Sequence, residues 1–171
     1  MDEHGVLDRL RNLDSGGRAA LRREAGKCMA EASAQGLSEF CRITPAGMNR
    51  RHQECWFAVM AIACLWNIEE AHVGGDFPAL LQRYARKQES GGMDRRIRSL
   101  LDTRWEEDGY LTSKLSRLAR MLRSDDRNVM PDADQLLNDL LHWNSDSRYV
   151  QLRWAQCFYQ QNDSDTKTED E

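Results

Sequence analysis

GGMDRRIRSLLDTRWEEDGYLTSKLSRLARMLR, residues Gly91 to Arg123, holds two amphipathic patterns of helical period. Leu111, Leu115, Leu118, Ala119 and Leu122 fall within one arc of a 3.6-residue helix, while Lys114, Arg117, Arg120 and Arg123 occupy the opposite arc. In the preceding pattern Met93, Ile97, Leu100 and Leu101 share a face, with Arg95 and Arg98 pointing away from it and Arg96 at its flank. One side of each helix is fitted for packing and the other carries positive charge. The stretch has eight Lys/Arg against five Asp/Glu, in a chain whose formal net charge is -4. Such a face serves either a polyanion or solvent, threaded with ion pairs.

The rest of the composition extends the helical reading. The 171 residues are enough for one domain or two small packed lobes. Leu and Ala together number 35 against 14 Val, Ile and Thr, which favours helices because β-branched side chains lose rotamer freedom in them. The expected fold class is all-α, a helical bundle of two packed lobes. Charge is unevenly spread: residues 1–123 carry 20 basic and 17 acidic groups, residues 124–171 carry 4 and 11. Arg outnumbers Lys 20 to 4, which suits bidentate phosphate contacts and is equally the mark of a genome rich in G and C.

The longest apolar run, Cys55 to Trp66, is apolar nearly all round, too short to cross a bilayer and suited to a helix enclosed by others. Before it, Val6, Leu7, Leu10 and Leu13 predict a short helix stopped at Ser15-Gly16-Gly17 by glycine at positive φ, with a second helix from Arg18 that groups Arg18, Arg22 and Arg23. Asp76-Phe77-Pro78 marks a helix start, and Gln88 to Gly92 marks a hinge between an N-terminal lobe (1–90) and a C-terminal lobe (91–161). Asp132 to Gln135 has capping-box character ahead of Leu136, Leu137, Leu140 and Leu141. A last helix from about Asp146 aligns Val150, Trp154, Cys157 and Phe158, and the acidic tail 162–171 is expected to be disordered. The opening residues lack the apolar core of a signal peptide, and the five cysteines suit reduced, buried thiols, so the expected location is cytoplasmic.

Motifs that carry catalysis are missing. There is no nucleophile elbow, HExxH or nucleotide-binding glycine loop, and the nearest metal-like set is His52 and Cys55, followed by Cys64. No cofactor or metal is expected. Trp105 and Tyr110 bracket Glu106-Glu107-Asp108 between the two basic helices, where an aromatic ring serves a helix–helix core or stacks on unpaired bases.

Several stretches, taken in order, resemble a known family. GGRAALRR (16–23), FCRITP (40–45), RRHQ (50–53), DRRIRSLLD (94–102), LSRLARML (115–122), DADQLLNDLLHW (132–143) and VQLRWAQCFY (150–159) together resemble CasB, the small subunit of the type I-E CRISPR surveillance complex Cascade. The resemblance implies an all-helical, non-enzymatic subunit present in two copies, with the other Cascade subunits and crRNA as partners. Its basic surface is then expected to hold the displaced single-stranded DNA and steady the R-loop. Carried over onto this sequence, Arg51, Arg96 and Arg117 stand where the family has basic residues, and the helical projection adds Arg104, Lys114 and Arg120. The acidic tail and Arg98, where the family commonly has an aromatic, depart from the pattern. Two other classes compete. A helix-turn-helix regulator would need a short-turn helix pair with a base-reading helix, which is not evident, and a purely structural adaptor would use the same arginines against acidic neighbours.

Overall fold

A computed structural model describes residues 5–88 and 91–160. The chain runs through α1 (Val6–Arg11), α2 (Ser15–Arg23), a 3-10 turn at Met29–Glu31, α3 (Ala34–Ile43) and α4 (Arg50–Ala63). It continues through β1 (His72–Gly75), α5 (Phe77–Lys87), α6 (Gly92–Asp102), α7 (Tyr110–Asp125), β2 (Val129–Pro131), α8 (Ala133–Leu141) and α9 (Tyr149–Tyr159). The fold class is all-α, as expected. The tail 162–171 and residues 89 and 90 of the expected hinge lie outside the described residues.

Helix α4 is the centre. Every residue from Glu54 to Ala63 except Trp56 is buried, and α1, α2, α7 and α8 pack around it. Phe57 meets Phe40 of α3 edge to face, with ring centroids 5.3 Å apart. Among the described residues one hydrophobic cluster extends from Val6 to Trp154, so residues 5–88 and 91–160 share a core across α4–α8 and α5–α9 contacts. At the far end Trp154 of α9 stacks on Phe77 and meets Trp143 edge to face.

The carboxylates that enter this core are matched with donors, as burial requires. Asp139 of α8, 2% exposed, accepts from Trp154 Nε1 (2.7 Å), Gln135 Nε2 (2.9 Å) and the Arg153 guanidinium. Arg153 also pairs with Asp76 at 2.8 Å, and Asp76 caps α5 by accepting from the Ala79 amide at 3.2 Å. Burial opposes the charge on Arg153, yet the hydrogen bonds and attraction of the two carboxylates outweigh it and raise its pKa. The Asp132 cap of α8 forms with Gln135 N at 3.0 Å, but the Gln135 side chain turns to Asp139 instead of closing a capping box.

Three local expectations are corrected. Gly16 and Gly17 do not stop a helix: Asp14 caps α2 by accepting from Gly17 N at 2.7 Å, so both glycines lie in its first turn and neither has positive φ. Cys41 is exposed rather than buried, and Cys157 is half-buried. A short parallel pair, His72 opposite Val129 and Val73 opposite Met130, adds two strands to the helical fold.

Buried Glu24 of the α2 C-cap reaches over the start of α3, accepting from Ser33 N at 3.2 Å, from Ser33 Oγ and from Lys27 Nζ at 3.1 Å. Burial pushes its pKa up, and these donors together outweigh that and lower it. The fit leaves no room at Gly36, where an added Cβ would lie 2.6 Å from Glu24 Cγ. Gly36→Ala is therefore expected to cost about 1–3 kcal/mol in chemical denaturation. Gly16→Ala, whose Cβ would meet nothing closer than 3.5 Å, should be neutral or stabilise by roughly 0.4–1 kcal/mol. Equal effects of the two substitutions would show that Glu24 yields without cost.

Candidate nucleic-acid interface

The two amphipathic patterns fold as α6 and α7, and their apolar stripes face the core. Met93, Ile97 and Leu100 are buried on α6, and Leu111, Leu115, Leu118, Ala119 and Leu122 on α7. Gly109, with φ of 76°, turns the chain into α7 through a conformation that favours glycine. Between the outer faces runs an open groove of ≈ 560 Å³, lined by Arg95, Arg96 and Ser99 of α6 and by Tyr110, Lys114, Arg117, Leu118, Arg120 and Met121 of α7. Five of these nine residues are cationic and none is acidic. Such a lining concentrates positive charge in the groove, the condition for holding a phosphate chain without reading its sequence.

The cations are held in different ways. Lys114 Nζ donates to Ser99 Oγ (2.6 Å), Ser99 O (3.2 Å) and Thr103 Oγ1 (2.9 Å), and sits 4.4 Å from the centre of the Tyr110 ring. Arg96 Nη1 crosses the groove to Met121 Sδ at 2.8 Å. Arg120 is exposed but tethered, donating to Ser116 Oγ (3.0 Å) and to Ala25 O beyond α2 (3.3 Å). Arg95 and Arg117 are exposed and make no hydrogen bond or ion pair among the described residues. They are the guanidinium groups most available to an incoming anion.

Of the six residues expected to bind nucleic acid, the fold brings Arg96, Lys114, Arg117 and Arg120 together. Arg104 lines a separate cleft of ≈ 300 Å³ with Asp102, Asp146 and Arg148. Arg51 is half-buried, with its guanidinium 5.7 Å from the Trp105 ring centre and Nη2 donating to Leu141 O at 3.3 Å. Arg95 is missing from that set, although the projection that puts Arg96 at the flank of α6 puts Arg95 squarely on its outer face. The two flanking aromatics divide: Trp105 is core, 6% exposed, and Tyr110 is 59% exposed at the mouth of the groove.

His52, Cys55 and Cys64 do not converge. His52 is exposed, both thiols are buried, and burial pushes each of their pKa values up to about 12. Among the described residues no three His, Cys, Asp or Glu side chains are placed to share a metal ion. No helix among them is long and apolar enough to cross a membrane.

Residues 17–159 match the family model of the CRISPR-associated protein Cse2. This helical protein with a cationic groove is therefore of the CRISPR-associated class. Within that class, the chain belongs to the Cse2 family. Its fold is similar to that of a Cse2-family CRISPR-associated protein from Thermus thermophilus, with 24% identity over 90% of this chain and 93% of that one and a TM-score of 0.72. It is similar also to CasB from M. ruber (22% identity, 92% and 94% covered, TM-score 0.67). A chain of a CRISPR RNA-guided surveillance complex is likewise similar (22% identity, 90% and 86% covered, TM-score 0.68). No match is found among curated proteins.

Proposed function

We propose that the protein is a non-catalytic small subunit of the type I-E Cascade surveillance complex and that the α6–α7 groove holds the displaced single strand of target DNA, steadying the R-loop. The observation that carries this reading is the groove itself: five cations, no carboxylate, and two guanidinium groups without partners among the described residues. Membership of the Cse2 family and similarity to a chain of a CRISPR RNA-guided surveillance complex support the assembly. In this reading the crRNA and the other Cascade subunits are its partners and the protein acts in the cytoplasm. Two copies lie side by side in the complex, and the exposed Tyr149 and Leu152 of α9 offer an apolar contact for a neighbour.

The test uses Arg95→Ala with Arg117→Ala in the full-length chain and a thymidine oligonucleotide. Each arginine that neutralises one phosphate contributes about 0.7 to the logarithmic salt slope for a single strand, so the double variant should flatten it by roughly 1.4. Stability should stay within about 0.5 kcal/mol, because both side chains are exposed. An unchanged slope would assign these arginines to subunit contacts and favour the purely structural adaptor.

A further inference from the structure

We propose that Tyr110 is the residue by which the groove takes an unpaired strand in preference to a duplex, by stacking one nucleobase on its ring. The proposal rests on the nucleic-acid reading of the groove and adds the class of ligand feature recognised: the face of any unpaired base. Phosphate neutralisation by itself gives no preference for a single strand, since a duplex presents the same charged groups at higher density. Something in the groove must respond to bases, and Tyr110 is its aromatic residue.

Three observations point to it. The ring is 59% exposed although an aromatic of that size has much to gain from burial, as Trp105, five residues earlier, shows. Its position is fixed: Tyr110 opens α7, its amide donates to Asp108 Oδ1 at 3.0 Å, and the turn closes through Ser113 N to Gly109 O at 2.8 Å. A base docking there need not order the backbone first. Lys114 Nζ lies over one face of the ring, held there by Ser99 and Thr103, so a base stacks on the opposite face with a fixed positive charge across the ring. Tyr110, Lys114 and Arg117 follow one another at i, i+4 and i+7, one stripe of the helix. The seven residues from ring to guanidinium span roughly 10 Å at 1.5 Å per residue, about three phosphate steps of a stacked strand. Bases inside a duplex have both faces covered by their neighbours, so the ring can engage only an unpaired one, and it does so whatever the base.

The experiment compares a thymidine strand with an abasic tetrahydrofuran strand of equal length, so that phosphates match and bases do not. Binding to the full-length chain is followed by fluorescence anisotropy across a salt series. Tyr110→Ala should weaken the thymidine strand by about 5- to 150-fold, leave the abasic strand unchanged and leave both salt slopes unchanged, while Tyr110→Phe binds as the wild type. Equal losses on both strands, or no loss on either, would overturn the stacking role. Arg117→Ala must weaken both strands alike; if it weakens neither, the groove reading fails whatever Tyr110 does. A wild-type chain that binds no thymidine strand at low salt overturns both.

Discussion

Asp139→Ala should lower the stability of the protein by about 3–5 kcal/mol, the largest effect expected of any single polar substitution in it. The carboxylate is 2% exposed and serves three donors at once, from Gln135, Arg153 and Trp154. Its removal leaves the indole N–H of a buried tryptophan without an acceptor and strips Arg153 of one of its two carboxylates. For a chain of this size each kcal/mol moves Tm by about 2–4 °C, so a fall of roughly 6–20 °C is the expected thermal result. Asp139→Asn keeps an acceptor for the Trp154 indole and should lose less. A variant that melts with the wild type would mean that the three donors find water or one another, and that the α5–α8–α9 junction is held by aromatic packing alone.

Arg51→Ala should cost about 2–4 kcal/mol, the sum of a charged hydrogen bond to a half-buried carbonyl and a cation–π contact. The guanidinium joins α4 to the end of α8 through Leu141 O and covers the Trp105 ring on the way. Single-strand affinity and its salt slope should be unaffected in the folded variant. A flattened slope with an unchanged Tm would return Arg51 to the binding surface. This contrast with Arg95 and Arg117 separates arginines that build the molecule from arginines it offers outward.

In the sequence those two groups look alike, and the reason is physical. Helical periodicity tells which arc of α7 faces the core, and it places Leu111 through Leu122 correctly because that arc depends on the helix alone. What an outward side chain touches depends on elements distant in sequence. Arg120 meets Ala25 O and Arg51 meets Leu141 O, contacts that no local window contains. Trp105 and Tyr110 are equally ambiguous for the same reason. The backbone of Trp105 exchanges two hydrogen bonds with the side chain of Asn144, at 2.9 Å and 2.8 Å, and so turns its ring inward. The start of α2 departs from expectation for a local reason: glycine can stop a helix, but Asp14 can cap one at the same place, and the cap prevails. The strand pair leaves no trace in the sequence, since three or four residues are too few to show alternation and parallel pairing joins partners far apart.

That small parallel pair bears on the order in which the molecule is made. β1 and β2 are joined only after the whole of α5, α6 and α7 has intervened, with His72 N bonded to Asn128 O at 2.9 Å and Asp132 N to Gly75 O at 2.9 Å. Contacts between near neighbours in the chain form faster than those that must close a long loop. The α6–α7 hairpin needs only its own stretch of chain, whereas the strands wait for the full excursion to return. The cationic face is thus drawn from a local stretch of chain, and the strand pair, which must close a long loop, is expected to form after the α6–α7 contacts rather than before them.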